Sequence, residues 1–191
     1  MSRPYILIID DEPSALSAMI DAMARRFGGD YQVVSHLQVT TALAELEKIK
    51  EDGNRVALII ADQWMPEMTG AEFLQRAHIV HPDAQRALLV AWGDKESSSI
   101  VLHACAFGQM ENYILKPWHP PEVHLYPLVE EFLSDWVREH DSAGFLQMPG
   151  SRVLHAPVDG HGWYYGNTKS QATPHGFGQE ETIKAIWAEG R

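Results

Sequence analysis

A chain of 191 residues has room for one domain of ordinary size and an appendage, but hardly for two complete domains. Its formal net charge of −11 argues against nucleic-acid partners, because affinity for a phosphate backbone comes largely from clustered lysine and arginine. A single cysteine, Cys105, rules out an intramolecular disulfide, and no apolar stretch approaches the roughly 20 residues that span a membrane. We therefore expect a cytoplasmic protein that binds neither nucleic acid nor membrane.

The first predicted element is a strand buried on both faces, an apolar run over residues 5–9. It ends in three consecutive carboxylates, Asp10, Asp11 and Glu12. Their mutual repulsion needs an offset, and a hard divalent cation with oxygen ligands is the commonest one. Alternatively, the three acids lie in the first turn of a helix predicted over residues 14–27, where the helix dipole favours negative charge.

The central predicted strand is the apolar run over residues 56–60, which follows a predicted strand at 31–37 and an amphipathic helix at 40–50. Asp62 stands just after this run. In an open parallel sheet the carboxyl ends of the strands form the ligand-binding edge, so a carboxylate here is placed for chemistry. The alternative is an aspartate that only caps the following turn.

Lys116 is the predicted basic residue of the same edge. The remaining predicted elements alternate between helix and strand, over residues 70–80, 86–91, 97–107, 112–115 and 121–140. The strand at 112–115 delivers Lys116 to the edge that carries the acids, where a cation can reach a bound anion. A solvated lysine is the alternative.

Strands that alternate with helices in this way predict an α/β fold, a doubly wound parallel sheet of five strands. A flavodoxin-like sheet would have the strand order 2-1-3-4-5, which makes the ends of the first and third strands neighbours. We therefore expect Asp10, Asp11 and Asp62 to lie together at the point where the strand order reverses.

Three motifs, IIDDEP, ADQWMPEMTG and YILKPW, resemble those of the response-regulator receiver domain of two-component signalling, over about residues 4–140. The resemblance implies that Asp62 accepts a phosphoryl group from a histidine kinase or a phosphotransfer protein. It also implies that Asp10, Asp11, Asp62 and the backbone carbonyl of Trp64 bind Mg²⁺, and that Lys116 contacts the phosphoryl group. Output would then pass through protein contacts and not through an enzymatic reaction, with slow self-dephosphorylation at most.

Two positions depart from the receiver pattern. Receivers usually carry Ser or Thr at the end of the fourth strand, whereas here Val90 stands there, followed by Ala91. Valine has no hydroxyl and cannot hydrogen-bond a phosphoryl oxygen. Tyr113 still occupies the aromatic switch position of receivers, and the alternative for this residue is ordinary strand packing. Trp64 stands near Asp62, where receivers commonly have a smaller or polar residue. Its indole either shields the acyl phosphate from water or simply covers the rim of the site, and we expect slow self-dephosphorylation.

The valine at position 90 supports an alternative function, an interaction module with a receiver fold whose output no longer depends on phosphate. An aspartyl-phosphate phosphohydrolase is a third possibility, but that class has an acid-base aspartate two residues after its nucleophile, where this chain has Trp64. For a receiver, the face formed by the fourth helix, the fifth strand and the last helix is the candidate homodimer interface.

A narrower resemblance concerns receivers that precede an FAD-dependent thioredoxin-reductase-like domain in bacterial fusion proteins. It rests on LIIADQWMPEMTG and on the stretch that begins NYILKPWHPPEV. The reductase part is absent, and the chain has neither the glycine fingerprint after a strand nor a C-x-x-C pair, so neither flavin nor dithiol chemistry is expected.

Residues 141–191 form a Gly- and aromatic-rich C-terminal extension of unknown role, after a receiver domain assigned to residues 1–140. Short strands at 151–156 and 163–165 and a terminal helix at 180–189 are predicted. So short a segment makes a poor independent core, so we expect it to dock on the receiver or on a second subunit. The extension contains three histidines that could bind a metal, His155, His161 and His175. Their irregular spacing fits solvated loop histidines better than a metal site.

Overall fold

The computed structural model of the protein describes residues 2–91 and 112–141. The helix predicted over residues 97–107 and all elements predicted beyond residue 141 lie outside them.

Five parallel strands form one sheet in the order β2-β1-β3-β4-β5. The strands are β1 (Tyr5–Ile9), β2 (Gln32–His36), β3 (Val56–Asp62), β4 (Gln85–Ala91) and β5 (Asn112–Lys116). The predicted flavodoxin-like sheet and its strand order are therefore confirmed. The middle strand β3 is buried at every position, as its unbroken apolar run predicts, whereas the edge strand β2 is half-buried throughout.

Helices pack on both faces of the sheet. They are α1 (Pro13–Phe27), α2 (Val39–Glu51), α3 (Gly70–Val80), α4 (Pro121–His124) and α5 (Tyr126–Asp141). Helices α1 and α5 cover one face, where they enclose the first core, and α2 and α3 cover the other, where they enclose the second core. None of the described helices is long and apolar enough to cross a membrane.

The single last helix predicted over residues 121–140 is wrong in one respect, because the chain forms α4 and α5 with a turn at Leu125 between them. Pro127 explains the break, since it has no backbone N–H to donate to the preceding turn. A proline is tolerated in the first turn of a new helix, and the backbone N–H of Val129 donates to the carbonyl of Leu125 at 3.0 Å. The chain therefore stops one helix and starts another at this point.

Alternation along β3 assigns its residues to the two cores. Leu58 and Ile60 face the first core, and Ile59 and Ala61 face the second. Asp62, the last residue of the strand, therefore continues on the side of α1 and α5.

The start of α3 fixes the end of β3. The backbone N–H of Gly70 donates to the carbonyl of Gln63 at 3.0 Å. A Cβ atom at Gly70 would lie 2.2 Å from the carbonyl oxygen of Asp62 and 2.7 Å from Cδ1 of Leu88, so only glycine fits this contact. Thr69 caps the helix by accepting a hydrogen bond from the backbone N–H of Glu72, whose carboxylate accepts one from the backbone of Thr69 in return.

Candidate functional site

Three carboxylates meet at the carboxyl edge of the sheet. Oxygen atoms of Asp10, Asp11 and Asp62 all lie within 4.8 Å of one another. Asp10 and Asp62 are buried, with 3% and 8% of their surface exposed, whereas Asp11 is exposed. The pairing of β1 with β3 produces this cluster, because it makes the ends of these two strands neighbours.

Lys116, the last residue of β5, reaches across the edge to two of these acids. Its Nζ donates to Oδ2 of Asp10 at 2.9 Å and to Oδ1 of Asp62 at 2.5 Å. The alternative of a solvated lysine is therefore wrong. Charge-assisted hydrogen bonds of this kind are among the stronger polar contacts in proteins, so the ammonium holds the two carboxylates in place.

Burial and the opposite charge of the partner have opposing effects on the pKa values of Lys116 and Asp62. Burial lowers the pKa of Lys116, but its hydrogen bonds to Asp62 and Asp10 and the charge attraction of these two carboxylates together outweigh burial and raise the pKa above its ordinary value. For Asp62, burial raises the pKa, and the hydrogen bond from Lys116 offsets that effect only in part. The ionised Asp62 carboxylate is therefore incompletely stabilised by the chain alone, and additional positive charge at this site is favourable.

The donor set fits a hard divalent cation. Three carboxylates within reach of one point offer the oxygen ligands that Mg²⁺ prefers, and two of them are held in place by further hydrogen bonds. The backbone N–H of Glu12 donates to Oδ1 of Asp10, and that of Trp64 donates to Oδ2 of Asp62, each at 2.9 Å. The role predicted for the backbone carbonyl of Trp64 as a further ligand stays a prediction.

Residues 6–126, well over half of the chain, match the response regulator receiver domain family. The chain belongs to this family. Receivers are signalling modules of two-component systems, not enzymes in the ordinary sense, and they generally bind Mg²⁺ at an acidic pocket.

Individual relatives agree with this assignment. The hydrogenase transcriptional regulatory protein HoxA of Bradyrhizobium diazoefficiens is 31% identical over 134 residues, which cover 66% of this chain and 25% of HoxA. The receiver thus spans about a quarter of HoxA. The two-component response regulator ORR5 of Oryza sativa subsp. japonica is 30% identical over 120 residues, 63% of this chain and 83% of that protein.

Solved structures share the fold. A CheY-like response regulator receiver domain protein from Methanospirillum hungatei superposes with a TM-score of 0.57 and 27% identity, covering 72% of this chain and 99% of that one. An uncharacterized protein from Neptuniibacter caesariensis gives a TM-score of 0.61 and 26% identity, over 76% of this chain and 97% of the other.

Within this receiver, the predicted switch positions lie on β4 and β5. Val90 is buried in the second core, and Tyr113 packs against the same core half-buried. Ala91 is exposed at the end of β4 and pairs in register with Lys116. The side chain of Val90 therefore offers an apolar surface at the position where receivers usually present a hydroxyl.

Aromatic residues near the site differ in exposure. The indole of Trp64 at the rim is 45% exposed, whereas Trp118, after β5, is buried and stacks on His119 with ring centroids 4.1 Å apart. Tyr126 and Trp136 are buried as well. All three belong to the first core, so the candidate homodimer face draws no exposed aromatic anchor from them.

Sequence reasoning missed Gln63. This residue follows the acidic end of β3 and is only 1% exposed, yet neither atom of its amide has a hydrogen-bond partner within the part of the chain that the structure describes. A polar residue just past a strand end is ordinarily expected in solvent, so the sequence gives no direct signal of this burial.

Proposed function

We propose that this receiver accepts a phosphoryl group on Asp62 from the phosphohistidine of a histidine kinase or phosphotransfer protein, and signals by protein contacts. The observation that carries the proposal is the bridge from Lys116 to Asp62 and Asp10 inside the cluster of three carboxylates. This arrangement combines a nucleophile, a fixed cation and a set of oxygen ligands at one point.

In the proposed transfer, a carboxylate oxygen of Asp62 forms a bond to phosphorus while the bond from phosphorus to the histidine nitrogen breaks. The electron pair of the broken bond stays on the imidazole. Lys116 offsets charge on the phosphoryl oxygens, and the backbone N–H of Trp64 orients the carboxylate. Mg²⁺, when held by Asp10, Asp11 and Asp62, supplies further positive charge for the transferred group.

The rim supports a long-lived phosphorylated form. Attack by water on the acyl phosphate requires access from solvent, and Trp64, whose backbone N–H donates to the carboxylate of Asp62, carries an indole that is 45% exposed. We therefore propose that self-dephosphorylation is slow and that the protein performs no other catalysis.

The proposal can be tested with beryllofluoride, which mimics a phosphoryl group on a carboxylate. The wild type should bind it in the presence of Mg²⁺, with changes in backbone NMR shifts around Val90, Tyr113 and α5. Asp62→Ala should not bind, while Asp52→Asn, which alters an exposed carboxylate at the end of α2, should bind as the wild type does. Absence of binding in the wild type would contradict the proposed phosphoryl transfer.

A second candidate function is an interaction module that does not depend on phosphate, and the apolar side chain of Val90 favours it. The beryllofluoride experiment separates the two. If beryllofluoride binds but changes NMR shifts only in the acidic pocket, Asp62 accepts a phosphoryl group without a structural change at Val90, Tyr113 or α5. No binding at millimolar Mg²⁺ would favour the phosphate-independent module.

We extend the proposal to the localisation, the partners and the oligomeric state of the protein. The net charge of −11 and the lack of a spanning helix among residues 2–91 and 112–141 support a cytoplasmic receiver without nucleic-acid partners. The proposal also includes a homodimer through β5, the last helix and the helix predicted at 97–107. It further includes a particular similarity to receivers that are fused to FAD-dependent thioredoxin-reductase-like domains. Sedimentation with and without beryllofluoride tests the homodimer.

A further inference from the structure

A cavity of about 150 Å³ lies at the edge of the sheet opposite to the acidic cluster. Its lining includes Val56, the first residue of β3, and Ala84, which directly precedes β4. Because β3 has seven residues and Asp62 is its last, the cavity lies roughly 20 Å from the acidic cluster. It is therefore separate from the proposed phosphorylation site.

The inner lining of the cavity is apolar. Val56, Ala84 and Trp136 are buried, and the indole of Trp136 reaches the cavity from α5. The half-buried Val80, at the end of α3, adds a further apolar wall. An apolar cavity of about 150 Å³ can hold a molecule of the size of benzene. The cavity thus has room for the body of a small organic ligand.

Charged side chains line the outer part of the same cavity. Lys50 at the end of α2, Arg55 just before β3, and Asp83 are all exposed. Together these three side chains carry one net positive charge, in a chain whose formal net charge is −11. This local excess of positive charge favours a ligand with one negative charge over a cation.

Hydrogen bonds hold the walls of the cavity in place. His81, another lining residue, donates from Nε2 to the carbonyl of Leu46 at 2.8 Å, which ties the end of α3 to α2. The carbonyl of His81 accepts from the backbone N–H of Ala84 at 3.2 Å, and that of Arg55 accepts from the backbone N–H of Tyr5 at 2.8 Å. A preformed cavity of this kind loses little conformational entropy when a ligand binds.

We propose that this cavity binds a small organic carboxylate with an apolar body of about the size of one ring. The body packs between the buried side chains of Val56, Ala84 and Trp136. The carboxylate stays at the mouth with Lys50 and Arg55, because burying it among the apolar walls without partners would be costly. The inference does not rest on the proposed function, since the residues that line the cavity differ from those of the acidic cluster.

The test is an NMR titration of the full chain with benzoate, benzamide and acetate. We expect benzoate to bind with a Kd of about 1 mM and to shift the backbone resonances of Val56, His81 and Ala84 and the indole resonance of Trp136. Benzamide keeps the ring without the charge, and acetate keeps the charge without the ring. Each should bind at least about fivefold more weakly than benzoate.

A double variant at the exposed cations tests their role. Lys50→Gln/Arg55→Gln should weaken benzoate binding by about fivefold and leave the binding of Mg²⁺ and beryllofluoride unchanged. The matched control is Lys48→Gln/Arg76→Gln, which changes the net charge equally at exposed positions of α2 and α3 outside the lining, and it should bind benzoate as the wild type does.

The inference is overturned if benzoate gives no saturable shifts at the lining residues, or if benzamide or acetate binds as tightly as benzoate. Equal affinities of the two double variants would also overturn it, because the cations at the mouth would then not recognise the carboxylate. Failure of the wild type to bind beryllofluoride bears only on the proposed function, and the two results are therefore independent.

Discussion

Lys116 joins three strands at the level of single atoms. It belongs to β5 and donates to Asp10 after β1 and to Asp62 at the end of β3. The cost of burying Asp62 nevertheless exceeds what Lys116 offsets, since the pKa of Asp62 is raised. Burial of the ionised carboxylate of Asp62 therefore destabilises the folded protein at neutral pH. Its contribution to the free energy of unfolding falls as pH rises and the carboxyl group loses its proton.

We predict that Asp62→Asn raises the stability of the protein at neutral pH in the absence of divalent cations. The raised pKa means that folded Asp62 binds its proton more tightly than unfolded Asp62, so the wild type loses stability as pH rises from the ordinary pKa of 3.8 through the raised one. The gain from Asp62→Asn should vanish below the ordinary pKa and level off above the raised one.

Thermal unfolding in a chelator, from about pH 3 to about pH 8, measures this difference. Asp52→Asn serves as the exposed control. A variant no more stable than the wild type at neutral pH would show that Lys116 offsets the burial of Asp62 completely.

The indole of Trp64 leads to a second prediction at this scale. Replacing Trp64 by alanine should shorten the lifetime of phosphorylated Asp62 severalfold, because water then reaches the acyl phosphate more easily. Trp64→Phe, which keeps an aromatic ring at the rim, should stay close to the wild type. Loss of phosphate after labelling with a small phosphodonor gives both rates, and equal rates in all three proteins would contradict shielding.

The elements differ in how far the sequence predicts them. Apolar runs locate the strands to within a few residues, and their order follows from the alternation of strands and helices. The break between α4 and α5 is not predictable from periodicity, because the apolar spacing continues through Leu125 and a proline in a first turn is compatible with a helix. The three acids and Lys116 are predictable because each lies at a strand end, whereas the burial of Gln63 depends on packing that no local pattern encodes.

The contact of α3 with β3 gives the prediction for this scale. Gly70→Ala should destabilise the protein by about 1 to 3 kcal/mol, since its Cβ would collide with the carbonyl oxygen of Asp62 and force the two elements apart. Urea unfolding measures the change. Gly29→Ala is the matched control, because a Cβ at Gly29 meets no atom within 4 Å. A loss of stability no greater than in the control would mean that α3 moves away from β3 without cost.

At the scale of the whole molecule, the described members of both cores lie within the receiver. Both contain residues from the sheet and from helices on one of its faces, and their fully buried members extend from Ile6 to Trp136. The assignment of residues 1–140 as an independent domain therefore remains a prediction with a physical basis.

We predict that a chain ending at residue 141 unfolds cooperatively and keeps the Mg²⁺ affinity of the full chain. The reason is that the acidic cluster and both described cores lie before that residue. Thermal unfolding and Mg²⁺ titration of the two chains provide the comparison. A large drop in Tm would instead indicate that the extension docks on the receiver.

The net charge of the acidic cluster at the edge of the sheet determines which cation charge neutralises it. When ionised, Asp10, Asp11 and Asp62 carry three negative charges and Lys116 carries one positive charge, so the cluster sums to −2. One divalent ion makes this sum zero, whereas a monovalent ion leaves it negative. Replacing the charge of a carboxylate by the roughly two charges of a phosphoryl group then adds about one negative charge. A partner can sense that change through the electric field alone, without any movement of the chain.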